Sequence, residues 1–253
     1  MKLENKVAII TGGGRGIGRA FALRFAKEGA KVVLTQRTTT EIEKTASEVK
    51  DLGGQALPIT MDLQKPEEIN EMVQKAVSEF GGIDILVNNA AFYSGVGHKR
   101  WDDWSLDEWT RSWDINVVGA WLCAKAAVPH MKERGKGKIV NISSVTFQMG
   151  YQGHLPYTCS KAATVALTRG MARALGRYKI NANCIAVGYT MSEASAEMPG
   201  RDVEGDKILV AKRSIRREQL PEDLEGTALY LASEDSDMIS GQTIVVDGGD
   251  FML

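Results

Sequence analysis

Short apolar runs and longer amphipathic stretches alternate along the chain, and that alternation predicts its elements. Lys6–Thr11 (KVAIIT), Lys31–Gln36 (KVVLTQ), Gln55–Thr60 (QALPIT), Asp84–Val87 (DILV), Lys138–Ser143 (KIVNIS), Ile180–Ala186 (INANCIA) and Thr243–Val246 (TIVV) have strand length and are largely apolar. Near-continuous apolar runs suit parallel strands covered on both faces. Between them, apolar residues recur at helical spacing. Ile17, Phe21 and Phe25 give the stretch ending near Glu28 one apolar face. Thr40–Leu52, Pro66–Phe80, Leu106–Arg134, the stretch opened by Pro156, and Pro221–Ser233 carry further helical patterns, and Gly29, Gly53 and Gly81 are natural stops. Strands and helices in alternation predict a single α/β domain over residues 1–253, built on a doubly wound parallel sheet.

Two segments break the pattern. Residues 92–113 carry Phe92, Tyr93, Trp101, Trp104, Trp109 and Trp113, with Gly95 and Gly97 among them. The helical spacing of Trp109 and Trp113 predicts a core position for both, whereas Tyr93, Trp101 and Trp104 are candidates for a pocket or an interface. Residues 188–217 turn polar from Ser192 and are broken by Pro199, Gly200 and Gly205, which reads as a lid in an unusually long connection. The two segments are expected to form a substrate pocket.

Composition narrows the class. The chain of 253 residues is 43% hydrophobic and 25% charged, with a formal net charge of -1. Nothing in that balance suggests a nucleic-acid partner. No apolar run approaches the roughly 18 residues of a membrane span, and the N-terminus runs into a strand without a signal-peptide core. Cys123, Cys159 and Cys184 are scattered, as are His98, His130 and His154, so neither disulfides nor a metal site is expected. A cytoplasmic location follows as an expectation.

The candidate chemistry begins after the first strand. Thr11-Gly12-x-x-x-Gly16-Ile17-Gly18 joins that strand to a helix. Glycines there allow a tight turn and a close approach to a pyrophosphate seated on the helix N-terminus. The second strand ends in Gln36-Arg37, where NAD enzymes usually carry a carboxylate for the ribose diol. With Arg15 in the glycine loop, the missing carboxylate favours the 2′-phosphate of NADP(H), and NAD(H) is the alternative. Asp62, just past the third strand, is placed to accept from an adenine amino group.

Ser144 follows the fifth apolar run. Tyr157 and Lys161 are one helical turn apart on one face. An ammonium near a phenol favours the phenolate, and a nearby serine hydroxyl can hold a substrate oxygen. The three side chains suit proton movement on or off an alcohol oxygen.

Together, T11-G12-G-G-R-G16-I-G18, Asp62, N88-N-A-A91, Asn116, Ser144, Y157-T-C-S-K161 and D247-G-G249, in this order, make the chain resemble the short-chain dehydrogenase/reductase family over essentially its whole length. The resemblance implies a Rossmann-type seven-stranded sheet and hydride transfer at a nicotinamide. It implies Tyr157 as general acid/base, Ser144 as the orienting group for the substrate oxygen, and Lys161 as the group that lowers the Tyr157 pKa and holds the nicotinamide ribose. It implies that Asn116 anchors a water. Gly12, Ile17, Asp62, Leu63, Asn88 and Ala90 match the family's cofactor contacts, as do Gly188, Thr190 and Ser192 at the carboxamide. Two positions depart from the family: Ala91 stands for a glycine, and Val187 for the proline before Gly188.

The expected activity is interconversion of a secondary alcohol and its ketone. The alternatives are a 3-oxoacyl-[acyl-carrier-protein] reductase, which needs a basic docking patch such as Arg134, Lys136 and Arg177, and a non-catalytic dinucleotide-binding sensor or scaffold. A homotetramer joined through residues 106–134 and 156–177 is a further family expectation.

Overall fold

In the computed structural model, residues 1–93, 99–197 and 202–252 are described. Gly95, Gly97, His98, Pro199 and Gly200 lie outside them.

The seven apolar runs become strands β1 (Val7–Thr11), β2 (Lys31–Gln36), β3 (Gln55–Thr60), β4 (Ile85–Asn88), β5 (Gly137–Ser144), β6 (Ile180–Val187) and β7 (Thr243–Val246). They form one sheet in the order β3-β2-β1-β4-β5-β6-β7, every neighbouring pair parallel. The helices are α1 (Gly16–Lys27), α2 (Thr39–Asp51), α3 (Pro66–Phe80), α4 (Leu106–Trp113), α5 (Ala120–Glu133), α6 (Leu155–Leu175), α7 (Glu193–Ala196), α8 (Val203–Lys212) and α9 (Glu225–Ala232). None of the described helices is long and apolar enough to cross a membrane.

Alternate strand residues point to opposite faces, so each strand feeds two cores. Ala8, Ile10, Val32, Leu34 and Val87 join Phe21, Phe25 and Leu224 on one side of the sheet. Val7, Ile9, Val33 and Leu86 join Met72, Cys123 and Met131 on the other. Chain order reverses direction between β1 and β4. That is the switch point where ligands bind in doubly wound sheets, outside the carboxyl ends of the strands.

The Leu106–Arg134 helix is not regular. Asp114–Gly119 winds as a π-helix between α4 and α5. The wider turn changes which side chains face inward. Ile115 and Asn116 are buried, while Trp113 is 46% exposed, contrary to the core position its spacing predicts. Trp109 is half-buried. Trp104 is buried whereas Trp101 is 72% exposed.

Candidate active site

The cleft at the β1/β4 switch point has a volume of about 700 Å³ and runs from the glycine loop to the N-terminal end of α6. Gly12 and Gly16 take positive φ (67° and 53°), which a side chain would strain. A Cβ added at Gly12 would meet the Ala90 Cα at 3.0 Å. The Asn89 amide holds this turn by donating to the carbonyls of Thr11 (2.9 Å) and Gly12 (3.2 Å). The resulting narrow cradle, with the first N–H groups of α1 behind it, fits a dinucleotide pyrophosphate.

Most predicted site residues line this one cleft: Gly12, Arg15, Gly16, Ile17, Gln36, Arg37, Asp62, Leu63, Ala90, Ser144, Tyr157, Lys161, Gly188, Thr190 and Ser192. Three, Gly18, Asn88 and Asn116, are not among the residues that line it. Gly18 packs under the loop, where an added Cβ would sit 2.0 Å from the Gly12 carbonyl oxygen. The Asn88 amide donates to Asn141 Oδ1 (2.8 Å) and the Ala120 carbonyl (3.2 Å), tying β4 to β5 and α5.

Asn116 is a staple. Its Oδ1 accepts from the Phe92 amide (2.7 Å), and its Nδ2 donates to Ser160 Oγ (2.9 Å) on α6. The π-turn thereby holds the chain leaving β4 against the helix carrying Tyr157 and Lys161. Replacing Asn116 by Ala leaves buried partners unsatisfied and is expected to cost about 1–3 kcal/mol. An unchanged urea midpoint would remove this role.

Ser144 ends β5, paired in register with Val187 of β6. Tyr157 and Lys161 lie in the first two turns of α6 and are almost fully buried. Lys161 Nζ donates to the Ile142 carbonyl (2.8 Å) and stands 5.5 Å from the centre of the Tyr157 ring. Ser143 Oγ donates to the Lys161 carbonyl (2.7 Å), fixing α6 to β5 beside the site.

Burial is the largest influence on both ionisable groups. It pushes the Tyr157 phenol up to about 12, with the Ser144 hydrogen bond pulling down, and pushes the Lys161 ammonium down to about 8. The resemblance implied that Lys161 lowers the phenol's pKa. Among the protein's own groups, loss of water outweighs any such effect, and the phenol stays protonated at neutral pH.

Beyond Tyr157 the cleft is aromatic. The Tyr93 ring lies 4.9 Å from the Tyr157 ring, and His154 is 5.6 Å from both Tyr93 and Tyr151. Tyr93 joins the cleft, as its candidacy suggested, but Trp101 and Trp104 do not line it. Tyr189, Ile208 and Leu209 also line it. Sequence reasoning missed Tyr151, His154 and three carboxylates. Glu41 accepts from the Gln36 side chain and lies 3.6 Å from Arg15, and Glu193 and Glu197 reach the glycine loop from α7. Their place depends on tertiary approach, with no local signal beyond the nearness of Glu193 to Thr190 and Ser192. Among the described residues, no group of three or more His, Cys, Asp or Glu could hold a metal ion.

A glycine cradle at the switch point of a parallel sheet, with a tyrosine, lysine and serine in the same cleft, defines a nicotinamide-dinucleotide oxidoreductase. A family model described as enoyl-(acyl carrier protein) reductase matches residues 12–250. Galactitol 2-dehydrogenase of Agrobacterium fabrum is 37% identical, over 100% of both chains. The 3-oxoacyl-[acyl-carrier-protein] reductase FabG of Thermotoga maritima is 32% identical over 98% of this chain and 99% of that protein. The crystal structure of a short-chain type dehydrogenase/reductase from Mycobacterium marinum superposes with a TM-score of 0.91 at 35% identity, covering 100% of this chain and 98% of that one. The chain belongs to the short-chain dehydrogenase/reductase family, whose members use NAD(P)(H).

Proposed function

We propose that the protein is an NADP(H)-preferring dehydrogenase/reductase acting on the CH–OH group of a secondary alcohol, or on the matching ketone. The observation that carries this is the meeting of Ser144, Tyr157 and Lys161 in the cleft that also holds the glycine loop. The dinucleotide, held by the loop, Asp62–Leu63, Ala90 and the Gly188–Ser192 segment, supplies hydride exchange at its nicotinamide. Everything else falls to side chains. Ser144 donates to the substrate oxygen and orients it toward the phenol. Tyr157, protonated at neutral pH, gives its proton to the oxygen as negative charge develops there. Lys161, held by the Ile142 carbonyl, offers a nearby positive charge to the phenolate left behind. Residues 92–113 and 188–217 contribute Phe92, Tyr93 and Tyr189 to the substrate end of the cleft.

Arg15 and Arg37 support NADP(H). Both line the cleft near Gln36, and guanidinium groups suit a 2′-phosphate. Titration of nicotinamide fluorescence is expected to give clearly tighter binding of NADPH than NADH. Tighter NADH binding would instead make Gln36 and Glu41 the ribose ligands.

The acyl-carrier alternative is disfavoured. Arg134 and Lys136 are engaged by Asp84 and Glu234. Both immediately precede β5, whose opposite end carries Ser144, roughly 25 Å away at strand rise. The half-exposed Trp113 and Trp121 support tetramer contacts through α4 and α5, and three free cysteines suit a reducing, cytoplasmic location.

A further inference from the structure

The phosphate end of the cleft carries two carboxylates that no dinucleotide-binding role explains. Glu193 opens α7 and Glu197 is the residue at which it ends. Glu193 Oε2 accepts from the Gly16 amide at 3.0 Å, the first N–H of α1. Glu197 Oε2 accepts from Arg15 Nη1 at 3.0 Å. The approach is built rather than casual. A Cβ on Gly16 would meet the Ser192 Cβ at 3.3 Å. Ser192 caps α7 by accepting from the Ser195 amide at 3.3 Å, and Ser195 Oγ donates to the Thr190 carbonyl at 2.9 Å. These bonds fix the start of α7, which carries Glu193 to the loop.

We propose that Glu193 and Glu197 set cofactor affinity by competing, from within the chain, with the cofactor's phosphates. Glu193 holds the amide that a pyrophosphate takes, and Glu197 holds the guanidinium that a 2′-phosphate takes. The second half rests on the NADP(H) reading above; the first does not, since both dinucleotides carry the pyrophosphate. Both carboxylates are displaceable. Glu193 is exposed, and the Arg15–Glu197 pair has side chains 33% and 67% exposed, where ion pairs are weak. A carboxylate on a helix N-terminus is likewise worth only a modest factor.

The competition makes two separable predictions, read by fluorescence titration of NADPH and NADH against wild type, Glu193→Gln and Glu197→Gln. Glutamine keeps the size and loses the charge. Glu193→Gln is expected to tighten NADPH and NADH equally, by about two- to fivefold. Glu197→Gln is expected to tighten NADPH by about the same factor and leave NADH unchanged. Circular dichroism melts confirm that each variant is folded. Unchanged or weaker binding of both cofactors to Glu193→Gln overturns the role of Glu193, and unequal tightening overturns its assignment to the shared pyrophosphate. An equal effect on both cofactors, or none, overturns the role of Glu197. Failure of the NADP(H) reading shows separately, as tighter NADH binding by the wild type.

Discussion

Tyr157→Phe is expected to lower turnover by at least about 10²–10⁴-fold while leaving cofactor affinity close to that of wild type. The phenylalanine ring preserves the buried packing against Tyr93 and the face presented to Lys161, and removes only the hydroxyl. The proton for the substrate oxygen then has no donor at that position. Titration of the nicotinamide separates the two effects. Unchanged turnover would sink the proposed role of Tyr157 and with it the proposed chemistry. The wild-type pH profile should follow from burial. With Tyr157 pushed up to about 12, reduction keeps its proton donor across the neutral range. With Lys161 pushed down to about 8, reduction declines above that pH as the ammonium is lost. Alcohol oxidation needs the deprotonated phenol and should rise with pH.

Gly18→Ala makes the closest contact of a methyl added at any of the described glycines and should have a large structural effect. An added Cβ would lie 2.0 Å from the Gly12 carbonyl oxygen and 2.7 Å from Asn89 Nδ2. The first contact is with backbone, so relief requires the glycine turn itself to move. Overpacking of this kind costs about 1–3 kcal/mol or more, a loss of roughly 2–12 °C in melting temperature for a chain this long. On the proposed reading the turn cradles the phosphates, so affinity for NADPH and NADH should fall together, by about tenfold where binding must restore 1.4 kcal/mol of that strain. Gly226→Ala is the control. It is exposed on α9 with nothing within 4 Å of the added carbon, and is expected to be neutral or to stabilise by up to about 1 kcal/mol. Similar losses in both variants would mean that the Gly18 contact does not decide the outcome.

The sheet was largely legible because parallel strands covered on both faces must be apolar almost continuously. The ranges expected for β2, β3, α3 and β7 coincide with those observed. Glycines and prolines marked the ends well, as at Pro66 and Gly81 around α3. The π-turn at Asp114–Gly119 was not legible, since a helical period gives no sign of one wider turn, and the orientation of Trp113 was misread with it. Tyr157, Lys161 and Ser144 could be found because local spacing and a strand end define them. Glu193 could not, because its partner Gly16 is 177 residues away along the chain. Asn88 and Gly18 lay in recognisable motifs, yet the motifs gave no sign of the bonds of Asn88 to Asn141 and Ala120 or of the close approach of Gly18 to the Gly12 carbonyl.

The strand order also constrains when the cleft can come into being. On one side β1 pairs with β2, which follows it closely, but its other edge waits for β4, whose Ile85, Leu86 and Val87 align with Ala8, Ile9 and Ile10. A newly made chain that has emitted β1, β2 and β3 therefore carries an unpaired central edge, and closing it means bridging the intervening segment before any reward is gained. The phosphate loop lies on the early side of that seam, and Tyr157 and Lys161 on the late side. A nicotinamide nucleotide bound as proposed draws on both sides and so favours chains whose seam has closed; its presence during refolding should draw half-assembled chains forward and shorten the time an open strand edge is exposed to aggregation.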